Sequence, residues 1–262
     1  MSDRILVFIP AYRCERQIGR VLEQFGQPGR AERFAQILVL DNRSPDGTVA
    51  AAQEAGRTLR LDNLLVGRNH DNYGLGGSHK AAFRYAVQEG FTHVVVLHGD
   101  DQADIADLMP LLARGEHLEK DCCLGARFHP ASKLQGYSRT RMIGNVAFNA
   151  LFSTATGKRL YDLGSGLNIY STAMLRDEFY KRLPDNLMFN YGMILASSVK
   201  AHNISFFPIT WREEDQVSNV KLFSQAYRTM ALLRGFVADR RNFLAKEHRE
   251  KARDEYSFEI CS

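Results

Sequence analysis

An alternation of apolar runs and helical patterns in the first half of the chain most limits the fold that it can adopt. Four short runs rich in β-branched and leucyl residues are bounded by turn formers, at residues 5–9, 36–40, 61–66 and 94–97. Helical patterns of apolar or small residues lie between successive runs. Because neighbouring parallel strands need such crossovers, the sequence predicts an α/β fold with a mixed, mostly parallel sheet and helices on both faces.

The second half of the chain is less regular. Residues 124–128, 168–170 and 204–209 predict further strands, and residues 139–152 predict a helix. A C-terminal amphipathic helix is predicted from residue 221 onward, where nine Lys/Arg face three Asp/Glu up to residue 253. This basic segment either packs on the core or lies on anionic lipid, and its aromatic residues Phe223, Tyr227, Phe236 and Phe243 favour the lipid interface.

Composition limits the class of protein. The chain has 262 residues, 45% of them hydrophobic, which is enough for a full core. No stretch approaches the roughly 20 apolar residues that span a bilayer, and the N-terminus has a strand pattern rather than that of a signal peptide. Four cysteines without CxxC spacing indicate reduced thiols in a cytoplasmic protein. The basic excess is confined to the C-terminal segment, which argues against nucleic-acid binding.

The turn that follows the fourth apolar run carries candidate metal ligands. His98, Asp100, Asp101 and Gln102 come directly after a buried strand, at the sheet edge where α/β proteins bind ligands. Carboxylate and amide oxygens suit Mg²⁺ or Mn²⁺, and such cations usually bridge substrate phosphates. Asp41, at the end of the second run, is expected at the same edge, where it would accept hydrogen bonds from a base or ribose while Asp46 makes the Asx turn.

A glycine-rich loop precedes the third predicted helix. Gly74, Gly76 and Gly77 lack the GxGxxG spacing of a dinucleotide site, which argues against NAD. A tight turn at a helix N-terminus explains them, and such a turn also suits a nearby phosphate.

Eight motifs in order, from residue 5 to about residue 221, resemble those of family 2 glycosyltransferases with the GT-A fold, and in particular the polyprenyl-phosphate sugar transferases. The segments that carry the resemblance read IPAYRCE, LDNRSPDGT, NYGLGGSHKAAFRYA, HGDDQ, GARF, RMIGNVAFN, DLGSGL and WREEDQVSNVK. It implies a catalytic domain over residues 1–222, with a nucleotide-binding half at 1–125 and an acceptor half at 126–222. Residues 223–262 would form the basic amphipathic segment.

The resemblance assigns roles to individual residues. Asp100 and Gln102 would hold a Mg²⁺ or Mn²⁺ ion on the donor diphosphate. His98 replaces the first family aspartate and would bind the metal, hydrogen-bond a phosphate or orient Asp100, and these alternatives stay open. Asp162 would touch the donor sugar or brace its loop. The other expected substrate-binding residues are Pro10, Ala11, Tyr12, Asp41, Gly76, Ser165, Ser218 and Lys221.

Three arginines and one missing carboxylate indicate the acceptor. Arg127, Arg141 and Arg212 lie at family positions that face the acceptor phosphate and the leaving diphosphate, and guanidinium groups suit both. Phe189-Asn190-Tyr191 lies where transferases to sugar hydroxyls often carry an acidic base. A phosphate acceptor tolerates this loss, because it is already ionised near neutral pH.

The expected function is therefore inverting transfer of a sugar from a UDP- or GDP-sugar to a polyprenyl phosphate, at the cytoplasmic face of a membrane. The alternatives are transfer to a sugar hydroxyl in cell-surface polysaccharide or lipopolysaccharide synthesis, and non-catalytic binding of nucleotide-sugars. A second copy of the chain and a membrane protein are both open as partners. The sugar and the nucleotide base are not fixed, because Arg13 and Cys14 depart from the family pattern around the base.

Overall fold

A computed structural model describes residues 3–213 and 222–261 and shows ten strands and eight α-helices among them. The strands are β1 (Ile5–Ala11), β2 (Gln36–Asp41), β3 (Leu64–Asn69), β4 (His93–Leu97), β5 (Cys122–Ala126), β6 (Lys133–Gln135), β7 (Leu167–Ser171), β8 (Ile204–Pro208), β9 (Thr210–Arg212) and β10 (Phe258–Ile260). The helices are α1 (Ile18–Glu23), α2 (Thr48–Leu59), α3 (Gly74–Gln88), α4 (Met109–Ala113), α5 (Arg139–Thr156), α6 (Thr172–Leu175), α7 (Phe189–Val199) and α8 (Leu222–Ala238). None of the helices in the described part is long and apolar enough to cross a membrane.

The main sheet has the strand order β10-β3-β2-β1-β4-β7-β5-β8. Strands β3, β2, β1 and β4 are parallel, β5 pairs with β8 in parallel, and β7 and β10 are antiparallel to their neighbours. A separate parallel pair joins β6 to β9. The chain runs outward from β1 to β3 and then returns to place β4 on the other side of β1. The crevice at such a switch point is where open α/β sheets bind ligands.

The sheet is buried on both faces. Leu6 and Phe8 of β1 point into one apolar layer, and Ile5, Val7 and Ile9 point into the other, as the two-residue period of a strand requires. All five side chains are fully buried. Each contributes roughly 1.5–3 kcal/mol of hydrophobic stabilisation. Burial on both faces explains why these strands appear in the sequence as continuous apolar runs rather than alternating ones.

Most predicted elements are confirmed, with shifts at their ends. Strand β1 continues through Pro10 to Ala11 instead of stopping before the proline, and the Pro10 carbonyl accepts a hydrogen bond of 3.1 Å from the Gly99 amide. Helix α7 was not predicted, because nine of its eleven residues are buried and it has little amphipathic period. Strand β10 was also not predicted; its three residues form an edge strand on β3.

The C-terminal segment joins the core. Phe236 and Phe243 are fully buried, so the expectation that they contact lipid is wrong: their rings pack edge to face, 5.3 Å apart, inside the protein. Tyr227 is 74% exposed, so its ring is free to contact a membrane surface.

Candidate active site

A cavity of about 830 Å³ opens at the edge of the sheet where β1 and β4 end. Its walls come from the loop after β1, the turn after β4, helices α5, α7 and α8, and strand β9. The carboxyl ends of β1 and β4 thus lie next to side chains from the second half of the protein. Among the predicted site residues, the cavity is lined by Tyr12, His98, Asp100, Gln102, Arg127 and Arg141.

The predicted cation ligands share the wall nearest the sheet. The backbone amide of His98 donates to the Gly166 carbonyl at 2.9 Å and holds this residue in place. The backbone amide of Gln102 donates to Oδ1 of Asp100 at 3.4 Å. Burial lowers the pKa of His98, so the imidazole is neutral near pH 7 and keeps a lone pair. Its buried Nε2 has no hydrogen-bond partner among the described residues. One imidazole nitrogen, one carboxylate and one amide oxygen form a donor set that fits a divalent cation such as Mn²⁺.

Burial also raises the pKa of Asp100, an effect that His98 opposes. The neighbouring Asp101 has a different environment. It has left-handed backbone geometry, and its carboxylate binds Nε of Arg20 at 2.7 Å and the amide nitrogen of Gln24 at 3.2 Å. Asp101 therefore anchors the turn to α1, whereas Asp100 is the acidic residue of the turn on the cavity wall.

Arg127 and Asp162 form a buried, bidentate ion pair. The carboxylate of Asp162 accepts hydrogen bonds of 2.8 Å each from the Arg127 backbone amide, Nε and Nη2, and one of 3.1 Å from the Gly164 amide. Burial opposes the charge on Arg127, but Asp162 more than compensates and raises the pKa of the guanidinium. These contacts make Asp162 a brace for the loop after α5, and they aim the arginine into the cavity.

Arg141 lies on the same cavity and is more accessible. Its Nη1 is 2.8 Å from both carboxylate oxygens of Glu213, and its guanidinium lies 5.0 Å from the centre of the Tyr137 ring. The side chains of Arg141 and Glu213 are 31% and 17% exposed, so a ligand in the cavity can reach them.

Arg212, which was predicted to face the acceptor, does not line the cavity. Its Nη2 lies 3.6 Å from Asp104 and 3.8 Å from Asp101. Its backbone amide donates to the Gln102 carbonyl at 2.9 Å. The physical reason is the pairing of β9 with the turn after β4, which directs this arginine toward the acidic residues behind the cation ligands. Arg212 thus positions the turn.

Asp41 also departs from the prediction. It is fully buried, and its carboxylate binds Nε of Arg68 at 3.0 Å and the Ser44 amide at 3.2 Å. Pro10 and Ala11 are buried within β1 and do not line the cavity, whereas Tyr12 is 43% exposed and does. Direct contact between Asp41 and a nucleoside would require displacement of Arg68.

Two other predicted substrate contacts have structural roles. Gly76 packs against the Pro184 carbonyl, where an added Cβ would lie only 2.3 Å from the oxygen. Ser165 is buried and donates to the Leu167 carbonyl at 3.1 Å. Neither residue lines the cavity. Ser218 and Lys221 lie outside the described residues.

The structure adds site residues to which the sequence assigned no role. Arg13, with left-handed backbone geometry, and Glu15 line the cavity beside Tyr12, and Glu213 lines the opposite part. Gln225 and Thr229 of α8 complete the wall. Arg13 was visible in the sequence only as a departure from the family pattern. Glu213 lies in an acidic run whose orientation depends on the β6–β9 pair, and no local pattern indicates that pairing.

Comparisons with known proteins identify the family of the chain. The profile described as "Glycosyl transferase family 2" matches residues 6–183. The chain is 25% identical to a "Polyprenol monophosphomannose synthase" of Mycolicibacterium smegmatis, over 66% of this chain and 64% of that protein. It is 27% identical to an "Undecaprenyl-phosphate mannosyltransferase" of Micrococcus luteus, over 66% of this chain and 68% of that protein. The chain thus spans just under two thirds of the first relative.

Solved structures show the same fold. The chain matches S. aureus TarS 1-349 with a TM-score of 0.59 and 21% identity, over 88% of this chain and 65% of that one. It matches glucosyl-3-phosphoglycerate synthase from Mycobacterium tuberculosis, in complex with Mn²⁺, uridine-diphosphate and phosphoglyceric acid, with a TM-score of 0.62 and 16% identity, over 90% and 79% of the two chains. At these identities the likeness concerns the fold alone, and it confirms the predicted α/β class.

Proposed function

Because the chain belongs to family 2 of the glycosyltransferases, we propose that it transfers a sugar from a nucleotide-diphosphate sugar to a polyprenyl phosphate, with inversion at the anomeric carbon. The observation that carries this proposal is a cavity whose wall combines the candidate cation ligands of the turn after β4 with Arg127 and Arg141. Such a cavity suits two phosphate-bearing substrates that must meet. A phosphate acceptor also agrees with the names of the two mannosyl-transferring relatives.

The donor is expected beside β1 and the turn after β4. Asp100, Gln102 and His98 would hold a Mg²⁺ or Mn²⁺ ion, which when bound neutralises charge on the departing nucleoside diphosphate. Tyr12 is exposed on the cavity and offers a ring for the nucleobase. Arg13 lies beside it and supplies a cation near the phosphates. Both UDP- and GDP-sugars fit this description, and the names of the relatives make mannose the first sugar to test.

The acceptor phosphate is expected at Arg141 and Arg127. A phosphate monoester is ionised near neutral pH, so it attacks the anomeric carbon without a general base. The cavity accordingly has Asn190 and Tyr191 where sugar-hydroxyl transferases of the family often carry a carboxylate. Two guanidinium groups orient the phosphate for in-line attack and offset its charge. Asp162 supports this role by fixing the orientation of Arg127.

A lipid acceptor requires that the cavity meet a membrane, and exposed apolar side chains lie on the elements that form its wall. Ile143 and Val146 of α5 are 70% and 48% exposed. Leu187 lines the cavity and is 46% exposed, and Tyr227 of α8 neighbours the lining residue Ala226. Large exposed apolar residues that cluster around a site mark contact surfaces. These residues support peripheral contact with the cytoplasmic face of a membrane.

One observation favours a second candidate, transfer to a sugar hydroxyl. Glu213 is a carboxylate on the cavity wall, and a hydroxyl acceptor would need such a group as its general base. Asp162 is unsuited to act as this base because it is buried and bound to Arg127.

The proposal is tested first by thermal-shift measurements with UDP-, GDP- and dTDP-sugars in the presence of Mn²⁺. We expect one donor class to raise the melting temperature, and we expect Asp100→Asn to remove the effect. The stabilising donor is then incubated with a polyprenyl phosphate and, separately, with a lipid-free oligosaccharide. Formation of a glycosyl-phosphoryl lipid supports the proposal. Transfer to the oligosaccharide alone supports the second candidate, and an absence of turnover with any donor that binds supports a binding protein.

A further inference from the structure

Two histidines and an aspartate converge at the edge of the sheet opposite the cavity. Asp3 precedes β1, and His93 begins β4, where it lies in register with Ile5 of the neighbouring strand. His117 reaches this point from the short 3₁₀ turn Glu116–Glu119 that precedes β5. Since strands rise about 3.3 Å per residue, the cluster lies on the order of 20 Å from Asp100 along β4 and the turn that follows it. It is therefore separate from the candidate active site.

The three side chains are close enough to share one ion. Nε2 of His117 lies 2.7 Å from Oδ2 of Asp3, and Nδ1 of His93 lies 3.3 Å from Oδ1 of the same carboxylate. One ligand atom from each residue falls within 4.8 Å of the others. In a tetrahedral zinc site with bonds of about 2.05 Å, ligand atoms are roughly 3.3 Å apart. The observed separations bracket that value, so small side-chain rotations would complete the geometry.

We propose that Asp3, His93 and His117 form a binding site for a divalent first-row transition metal of the Zn²⁺ type, at the amino-terminal edge of the sheet. Imidazole nitrogen with a single carboxylate is a donor set that zinc prefers, and Mg²⁺ and Ca²⁺ favour oxygen alone. Three protein ligands leave a fourth position for water. Asp3 is 18% exposed and gives an ion access from solvent.

The surroundings of the cluster support this assignment. His93 and His117 are buried, which limits the positions of their rings beside Asp3. Nε2–H of His117 donates to Oδ2 of Asp3, and buried Nδ1 has no hydrogen-bond partner in the described part of the chain, so a metal that binds Nε2 displaces this proton. Thr92 donates to Oδ1 of Asp3 at 3.1 Å and provides an outer contact for the carboxylate.

One neighbour opposes the metal. Nη2 of Arg33 lies 3.1 Å from Oδ2 of Asp3 and places a positive charge beside the cluster. Its side chain is 31% exposed and can move into solvent when a cation binds. The alternative to a metal site is a metal-free hydrogen-bond network that connects the N-terminus to β4. Removing Arg33 distinguishes the two. Loss of Arg33 would weaken such a network, whereas it would strengthen a metal site.

The experiment uses the full chain carrying Asp100→Asn, which removes a ligand of the other cation site. Chelator-treated protein is titrated with Zn²⁺ in competition with a chromophoric chelator, and with Co²⁺ by visible spectroscopy. We expect one Zn²⁺ per chain and visible Co²⁺ bands of four-coordinate intensity. His117→Asn should weaken zinc binding by more than about 100-fold. Circular dichroism and the melting temperature show whether that variant is folded.

Arg33→Ala supplies the second arm and does not depend on losing a ligand. Removing one positive charge about 5 Å from a doubly charged ion should strengthen zinc binding roughly tenfold. Zinc binding that is absent in the Asp100→Asn chain, or that weakens in Arg33→Ala, would overturn the proposal. Because neither readout uses a sugar donor, failure here leaves the proposed transferase function unaffected.

Discussion

Replacing Glu213 by glutamine separates the two acceptor classes in one variant. Both carboxylate oxygens of Glu213 lie 2.8 Å from Nη1 of Arg141 on the cavity wall. Glutamine keeps the size of the side chain and one hydrogen-bond acceptor while it removes the charge. If the acceptor is a phosphate, this charge opposes its binding. If the acceptor is a hydroxyl, this charge is the base.

Glu213→Gln should strengthen binding of a phosphate acceptor, whereas it should slow transfer to a hydroxyl acceptor. A phosphate dianion about 6 Å from the Glu213 carboxylate, in a cavity open to water, is repelled by roughly 1.4 kcal/mol, which corresponds to about a tenfold change in affinity. The ion pair with Arg141 is partly exposed and contributes only about 0–1 kcal/mol, so its loss offsets part of this gain. Loss of a general base would instead reduce kcat by roughly 10²–10⁴-fold.

The assay measures kcat and KM for polyprenyl phosphate at saturating donor and cation. We expect Glu213→Gln to lower KM by up to about tenfold and to leave kcat within a small factor. Arg141→Ala is the matched control: it removes a charge-assisted contact of about 1.5–3 kcal/mol and should reduce kcat/KM by roughly 10–150-fold, while donor binding is unchanged. A hundredfold loss of kcat in Glu213→Gln would refute the phosphate mechanism.

Three further predictions concern the brace, the core and the cation ligand. Asp162→Asn leaves Arg127 buried without a counter-charge and should lower the free energy of unfolding by about 3–5 kcal/mol in urea denaturation, and an unchanged midpoint would contradict the brace. Burial lowers the pKa of His79 from 6.5 to about 3, so the stability that depends on its neutral form is complete above pH 6.5 and is lost as the pH falls toward 3. At pH 5 the free energy of unfolding of the wild type should have fallen by about 2 kcal/mol more than that of His79→Phe. Equal losses in the two proteins would contradict this. Asp100→Asn should abolish the stimulation of donor binding by Mn²⁺ in calorimetry while metal-free nucleotide binding persists, and full stimulation would remove Asp100 from the ligand set.

The sheet was largely predictable, because buried parallel strands produce continuous apolar runs that few other structures require. The run at 36–40 became β2, Gln36–Asp41, and the apolar run before His98 became β4. The antiparallel direction of β7 was not predictable from its own residues, since direction depends on the path of the chain between strands. Helix α7 is apolar on almost every side, and its composition alone does not distinguish a buried helix from buried strands.

The site was predictable where ligands follow directly from a strand and less so where partners are distant in sequence. Asp100 and Gln102 reach the cavity because β4 ends just before them. Asp41 also ends a strand, but Arg68 on the adjacent β3 occupies its carboxylate, and nothing in either local sequence indicates that pair. The predicted position of Arg212 on the cavity wall was wrong for a similar reason. The direction of its side chain depends on the backbone contact between β9 and Gln102.

Anomalous diffraction from a crystal of the protein with Mn²⁺, the stabilising nucleoside diphosphate and a phosphate monoester tests most directly whether a cation-bound diphosphate and an acceptor phosphate share one cavity. We expect a manganese peak about 2.1–2.3 Å from oxygens of Asp100 and Gln102, bridged to the diphosphate, with the monoester bound to Arg141 in the same cavity. A manganese peak only at Asp3, His93 and His117, or a diphosphate and a monoester in separate cavities, would contradict it.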